Sequence, residues 1–250
     1  MQLSDYIWSD ALQNRQPQFL PKINYLNPIS KNIIFAYLPG FLNDITGSYG
    51  NGVIRSSTTK IIGSYIQQPG NASDGLLVGN SALLGVLQYS TVIGLFSTKN
   101  LSAIGGSAIY SERAPSGSDI YKICFPFVSS QIYAEFTYRN DANNLIQLRA
   151  ACPANIANGT NIFGAIVNNN GNMSVFANGY LNNGIYANQF SFSNPGINRI
   201  IGADISDTSA SWNGNIYYVC GFNRALSINE LTSLYNNPWQ IFSTPMQIPL

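Results

Sequence analysis

The chain has 250 residues, with twelve Lys and Arg against eleven Asp and Glu, no His and a net charge of +1. The missing His excludes Ser-His-Asp triads, His metal sites and imidazole proton relays, and the scattered cations form no clustered footprint for nucleic acid. Charged residues make up 9% of the chain, against about 25% in average soluble domains, and Asn supplies about one residue in eight. A hydrated surface with so little charge repulsion predicts a protein that works in an assembly.

Residues 1–30 differ from the rest. Pro17, Pro21 and Pro28 favour extended backbone, and Tyr6, Trp8, Phe19 and Tyr25 give this segment apolar anchors. It reads as an arm, lying over its own domain or docking on a neighbouring subunit. Met1-Gln2-Leu3-Ser4 lacks the basic start and apolar core of a signal peptide, which predicts synthesis in a cytoplasm. No apolar run reaches the ~18 residues that a membrane helix needs, so no membrane insertion is expected.

From Asn32 to Tyr37 a first strand is expected, followed by short apolar runs between Gly and Asn punctuation. These are Thr91–Ser97, Ala103–Ser111, Ile120–Val128, Ile132–Tyr138, Asn144–Ala150 and Asn161–Val167. Met173–Ala177, Asn178-Gly179 and Tyr180-Leu181 form the clearest hairpin signal, because Asn-Gly accepts positive φ at both positions of a type I′ turn. Gly214–Phe222 reads as a strand buried on both faces. Ser227 and Glu230 then stand in capping-box spacing, and Ile228, Leu231, Leu234 and Tyr235 share one helical face that Asn236-Asn237-Pro238 ends. Spacing of this kind, with one short terminal helix, predicts an all-β sandwich of two antiparallel sheets and no second domain.

Chemistry is sparse. Cys124, Cys152 and Cys220 are odd in number and lie in strand-like runs, which predicts buried thiols over a disulfide framework. Glu112, Glu135 and Glu230 are isolated along the chain, and no G-x-S-x-G elbow or phosphate loop occurs. A non-enzymatic protein is therefore expected.

The segment GNIYYVCGFNRALSINELTSLY resembles the closing strand and helix of laminin-G-like jelly rolls in the concanavalin A-like superfamily. PISKNIIFAYLPG, GNMSVFANGYL and NRIIG resemble that family's opening strand, hairpin and later strand. The NPWQIF ending looks like the version found in tailed-bacteriophage virion proteins. The resemblance spans roughly residues 28 to 242, and the expected organisation is an arm over 1–30, a jelly roll over 31–242 and a tail over 243–250.

The resemblance implies two kinds of site. The family's calcium loop is loosely matched from Asp44 to Asn51, with Asp44 as a weak ligand candidate. The later strand, where the family carries acidic residues, has Tyr217 and Tyr218 instead, and an Asp44 that caps its own turn is the competing reading. Sugar binding is the other inherited property. Tyr49, Tyr180 and Tyr186 lie near turns beside abundant Asn and are the glycan-binding candidates, whereas Tyr110, Tyr121, Tyr133 and Tyr138 fall in strands. The leading functional expectation is a virion structural protein of a tailed phage, a capsid decoration or a head or tail appendage subunit. In that reading Tyr6, Trp8, Phe19, Trp239 and Phe242 dock on copies of itself and other virion proteins, with no cofactor beyond weak calcium. The alternative is an adhesin that binds host surface glycans.

Overall fold

The computed structural model describes residues 21–48, 50–62, 65–70, 74–78, 84, 87–99, 107–113, 120–125, 127–128, 131–139, 145–151, 161–185, 198–203 and 211–243. The chain folds as an all-β, two-sheet antiparallel jelly-roll sandwich with one short helix.

The larger sheet has nine strands. Its main order is β16 (Tyr180–Ile185), β15 (Asn172–Ala177), β14 (Asn161–Asn169), β8 (Tyr89–Thr98), β18 (Asn213–Phe222), β2 (Ile33–Leu38) and β3 (Asn43–Asp44). The first half of β18 also pairs with β6 (Tyr65–Pro69), which carries β5 (Lys60–Ile62) outside it. The second sheet has eight strands and runs β11 (Phe127–Val128), β12 (Gln131–Arg139), β10 (Ile120–Phe125), β9 (Ser107–Arg113), β17 (Asn198–Ile201), β7 (Leu76–Val78) and β4 (Val53–Ile54). β13 (Leu145–Ala151) lies on the other side of β12.

The nine-stranded sheet is the middle of three layers. Its inner face sends Val92, Phe96, Ile162, Ile166, Ile216 and Val219 against Ile109, Ile123, Phe136 and Ile201 of the second sheet. Its outer face sends Ile93, Leu95, Phe163, Ala165, Cys220 and Phe222 under the helix α1 (Ile228–Asn236) and the two terminal segments. A sheet covered on both sides needs apolar residues at nearly every position. That is why β8, β14 and β18 read as continuous apolar runs.

The local signals explain the joints. Asn178 and Gly179 take φ of 45° and 90°, as a type I′ turn between β15 and β16 requires. Asn170 and Gly171 repeat this between β14 and β15 with φ of 51° and 84°. On α1, the Ser227 hydroxyl accepts from the Glu230 N–H while the Glu230 carboxylate accepts from the Ser227 N–H. Burial alone would raise the Glu230 carboxyl, but hydrogen bonds from Arg224 and Ser227 prevail and hold it below the ordinary glutamate range. Its contribution is therefore present at neutral pH and is lost as pH falls through that lowered value. Replacing the cap, Ser227→Ala, is expected to lower unfolding stability by about 1 kcal/mol in urea melts.

The described parts of the terminal segments, residues 21–30 and 237–243, lie against their own domain. β1 (Lys22–Ile23) pairs with β19 (Phe242–Ser243), and the Asn24 N–H donates to the Ile241 carbonyl. Trp239 and Phe242 each sit 5.3 Å, centroid to centroid, from the Tyr218 ring on the outer face of β18. No helix among the described residues is long and apolar enough to cross a membrane.

Candidate functional site

Strand register assembles a polar row on the outer face. Asn161 on β14 stands opposite Ser97 on β8, Ser97 opposite Asn215 on β18, Asn215 opposite Gln67 on β6, and Gln67 opposite Lys60 on β5. Directly opposed residues share a sheet face, so these five side chains form one line about 19 Å long at the ~4.8 Å strand spacing. Their chain neighbours Ile162, Phe96, Ile216 and Ile66 point the other way, into the core between the sheets.

Two tyrosines flank this line. Tyr65 lies two positions before Gln67 on β6. Tyr217 sits at the irregularity between Ile216 and Tyr218, where β18 carries one residue more than β8. A bulge of this kind keeps two consecutive side chains on one face, and Tyr217 and Tyr218 both join the outer cluster. The Tyr65 and Tyr217 rings are 5.3 Å apart and tilted by 55°.

The groups are pre-oriented. Gln67 Nε2 donates to Asn215 Oδ1 at 3.2 Å, Asn215 Nδ2 donates to Tyr217 Oη at 3.3 Å, and Tyr217 Oη lies 3.2 Å from Ser97 Oγ. Tyr65, Gln67 and Asn215 are half-buried, whereas Ser97 and Tyr217 are buried. Asn161 is only 7% exposed, and its Oδ1 has no hydrogen-bond partner. Burial, and then the neighbouring Tyr217, raise the Tyr65 phenol above its ordinary value, so it remains a neutral donor at neutral pH. Amide and hydroxyl groups beside ring faces, with no carboxylate in the row, suit binding of a neutral polyhydroxylated ligand.

The residues singled out from sequence fall elsewhere. Asp44 is buried in its turn. Its Oδ1 accepts from the Ala36 and Thr46 N–H groups at 2.8 and 3.1 Å, and its Oδ2 accepts from the Thr46 hydroxyl at 2.6 Å. This capping uses lone pairs that calcium would need. Among the described residues no group of three or more His, Cys, Asp or Glu gathers as for a metal ion. Tyr180 is 51% exposed, but it stands opposite Ala177, whose side chain belongs to the inner core, so it leaves the hairpin on the face opposite the row. Tyr49, Tyr186, Tyr6, Trp8 and Phe19 lie outside the described residues. Trp239 is half-buried and Phe242 buried, both against the chain's own sheet.

All three glutamates that stand isolated along the chain meet an arginine in space, Glu230 meeting Arg224. Glu112 Oε1 accepts from the Leu84 N–H at 2.8 Å and the Tyr110 hydroxyl at 2.7 Å, and β9 places Glu112 opposite Arg199 of β17. The Arg199 guanidinium also lies 5.6 Å from the Phe35 ring centroid. Glu135 bonds Arg149 across β12 and β13. Burial, then the Glu112 carboxylate, push the Tyr110 phenol well above its ordinary range. Glu112 and Arg199 are fully enclosed, so this cluster is closed to a substrate. Cys220 is a buried free thiol raised by burial and then by Asp44. Cys152 and the side chain of Cys124 lie outside what is described.

No family model and no curated protein sequence matches this chain. Solved structures do. Domain 4 of AbnA, an extracellular GH43 arabinanase from Geobacillus stearothermophilus solved with arabinotriose, aligns with a TM-score of 0.62 at 15% identity. The alignment covers 82% of this chain and 98% of that one. The binding domain of botulinum neurotoxin serotype D aligns at 0.60 and 15% identity, over 86% of this chain and 54% of its own. A Trypanosoma rangeli sialidase in complex with the inhibitor DANA aligns at 0.53 and 11%, over 80% and 31%. At these identities the shared property is the fold, a jelly-roll sandwich.

Proposed function

We propose that this chain is a non-enzymatic saccharide-binding module whose site is the row from Asn161 to Gln67 with Tyr65 and Tyr217. The observation that carries this is the register itself. Four neighbouring strands place amides and hydroxyls on one line of the outer face, and the bulge in β18 turns a tyrosine toward them. A sugar presents a C–H face that stacks on a ring and hydroxyls that need several partners, and the row offers both. The arabinotriose complex of AbnA domain 4 supports the reading as a case of this architecture carrying an oligosaccharide.

Placement in a tailed-phage virion is the second reading, carried by the resemblance of the NPWQIF ending. The described structure gives that stretch an intramolecular task, because Trp239 and Phe242 pack on Tyr218. The glycan-binding adhesin is accordingly the better supported of the two.

A glycan array followed by isothermal titration tests the proposal. Asn215→Ala removes the acceptor of the Gln67 amide and one of the two partners of the Tyr217 hydroxyl, at a cost of about 1–3 kcal/mol, so affinity should fall about fivefold or more. Tyr65→Ala should fall comparably, with thermal stability nearly unchanged. Binding that survives both changes would move the site elsewhere, and a silent array would remove the saccharide reading.

A further inference from the structure

We infer that β16 is a self-association edge, through which two copies of this chain join their nine-stranded sheets about a two-fold axis at Asn183. Among the described residues the strand is outermost in its sheet, and five of its six residues are exposed. Leu181 is 42% and Ile185 79% exposed. Edge strands are ordinarily guarded by charge, as Arg149 guards the seven-residue β13 and Lys60 the three-residue β5. No Lys, Arg, Asp or Glu occurs between Arg149 and Arg199, so β16 and the two strands beside it carry none.

The occupant follows from the pattern. A two-residue type I′ turn closes on a hydrogen-bonded pair, Ala177 with Tyr180, and such pairs then alternate along the hairpin. Leu181, Asn183 and Ile185 therefore direct their N–H and C=O groups away from β15. The Asn183 N–H agrees, since it donates to the side chain of Asn182 at 2.9 Å and not across the ladder. Leu181 and Ile185 are two positions either side of Asn183. An antiparallel second copy centred on Asn183 thus sets Leu181 against its Ile185, Asn183 against its Asn183, and Ile185 against its Leu181. All three become hydrogen-bonded pairs, with apolar residues facing apolar ones and no charge to repel. An isologous contact needs this self-complementarity; in it the Asn183 N–H exchanges the Asn182 Oδ1 for the partner's carbonyl, while Asn182 Nδ2 still donates to the Arg149 carbonyl. One short edge is small beside a standard stable interface, so the dimer should depend on concentration.

Sedimentation velocity over a concentration series tests this with the full chain. The wild type should shift from monomer to dimer. Asn183→Lys sets two ammonium groups face to face on the axis and should hold the protein monomeric at concentrations where the wild type is mostly dimer. Asn183→Val should retain the dimer. Under mild oxidation Asn183→Cys should give a covalent dimer, because the roughly 5.5 Å Cα separation of a hydrogen-bonded pair suits a disulfide, while Leu181→Cys should not. Circular dichroism confirms folding of each variant. A wild type that stays monomeric throughout overturns the inference, as does a dimer that Asn183→Lys leaves intact. Capture of another protein's strand on β16 in place of a second copy would also overturn it.

Discussion

Glu112→Ala should lower unfolding stability by about 3–5 kcal/mol, a large share of the 5–15 kcal/mol typical of a domain. The carboxylate lies within the sandwich, bonded to the Leu84 N–H and the Tyr110 hydroxyl, with Arg199 directly across the strand pair. Desolvating two charges is costly, and their attraction offsets that cost only while both remain. Removing one leaves a guanidinium enclosed between two sheets without its carboxylate. Pairing Glu112→Leu with Arg199→Met should recover most of the loss, since an apolar pair needs no compensation. Urea denaturation of the wild type, single and double variants reads this directly. A loss under about 1 kcal/mol for Glu112→Ala would show that the pair is not enclosed as described.

Trp212→Ala is the second large effect, at about 3–5 kcal/mol. The indole is fully buried, meets the Phe96 ring edge-on at 5.0 Å, and donates from Nε1 to the Ser97 carbonyl at 2.9 Å. The change opens a cavity in the inner core and strands the carbonyl of a residue whose hydroxyl belongs to the polar row. Saccharide affinity should therefore fall along with stability. Trp212→Phe keeps most of the ring and should cost only the orphaned carbonyl, about 1–3 kcal/mol. Equal losses in the two variants would mean that the indole N–H, and not the volume, sets the effect.

The fold was largely legible in the sequence because burial on both faces leaves a strong trace. β8, β14 and β18 appear as apolar runs with nearly their observed bounds, and the Asn178-Gly179 turn and the Ser227–Glu230 box lie where their chemistry placed them. The Asn170-Gly171 turn was hidden inside a run of Asn residues. The candidate site was not legible. Its members alternate with core residues on separate strands, and Gln67 and Asn215 are 148 positions apart, so only register brings them together. Tyr217 was weighed as a missing calcium ligand, and the extra residue that turns it outward has no sequence signature. The Glu112 and Arg199 pair was invisible for the same reason, since each looks solitary until β9 and β17 are aligned.

Amide chemical-shift mapping during titration with the best oligosaccharide from the array tests the central claim most directly. Perturbations should concentrate on Tyr65 to Gln67, Ser97, Asn161 and Asn215 to Tyr217. Perturbations confined to the Tyr180 hairpin or the Asp44 turn, or none at saturating sugar, would contradict a saccharide site on the outer face of the central sheet.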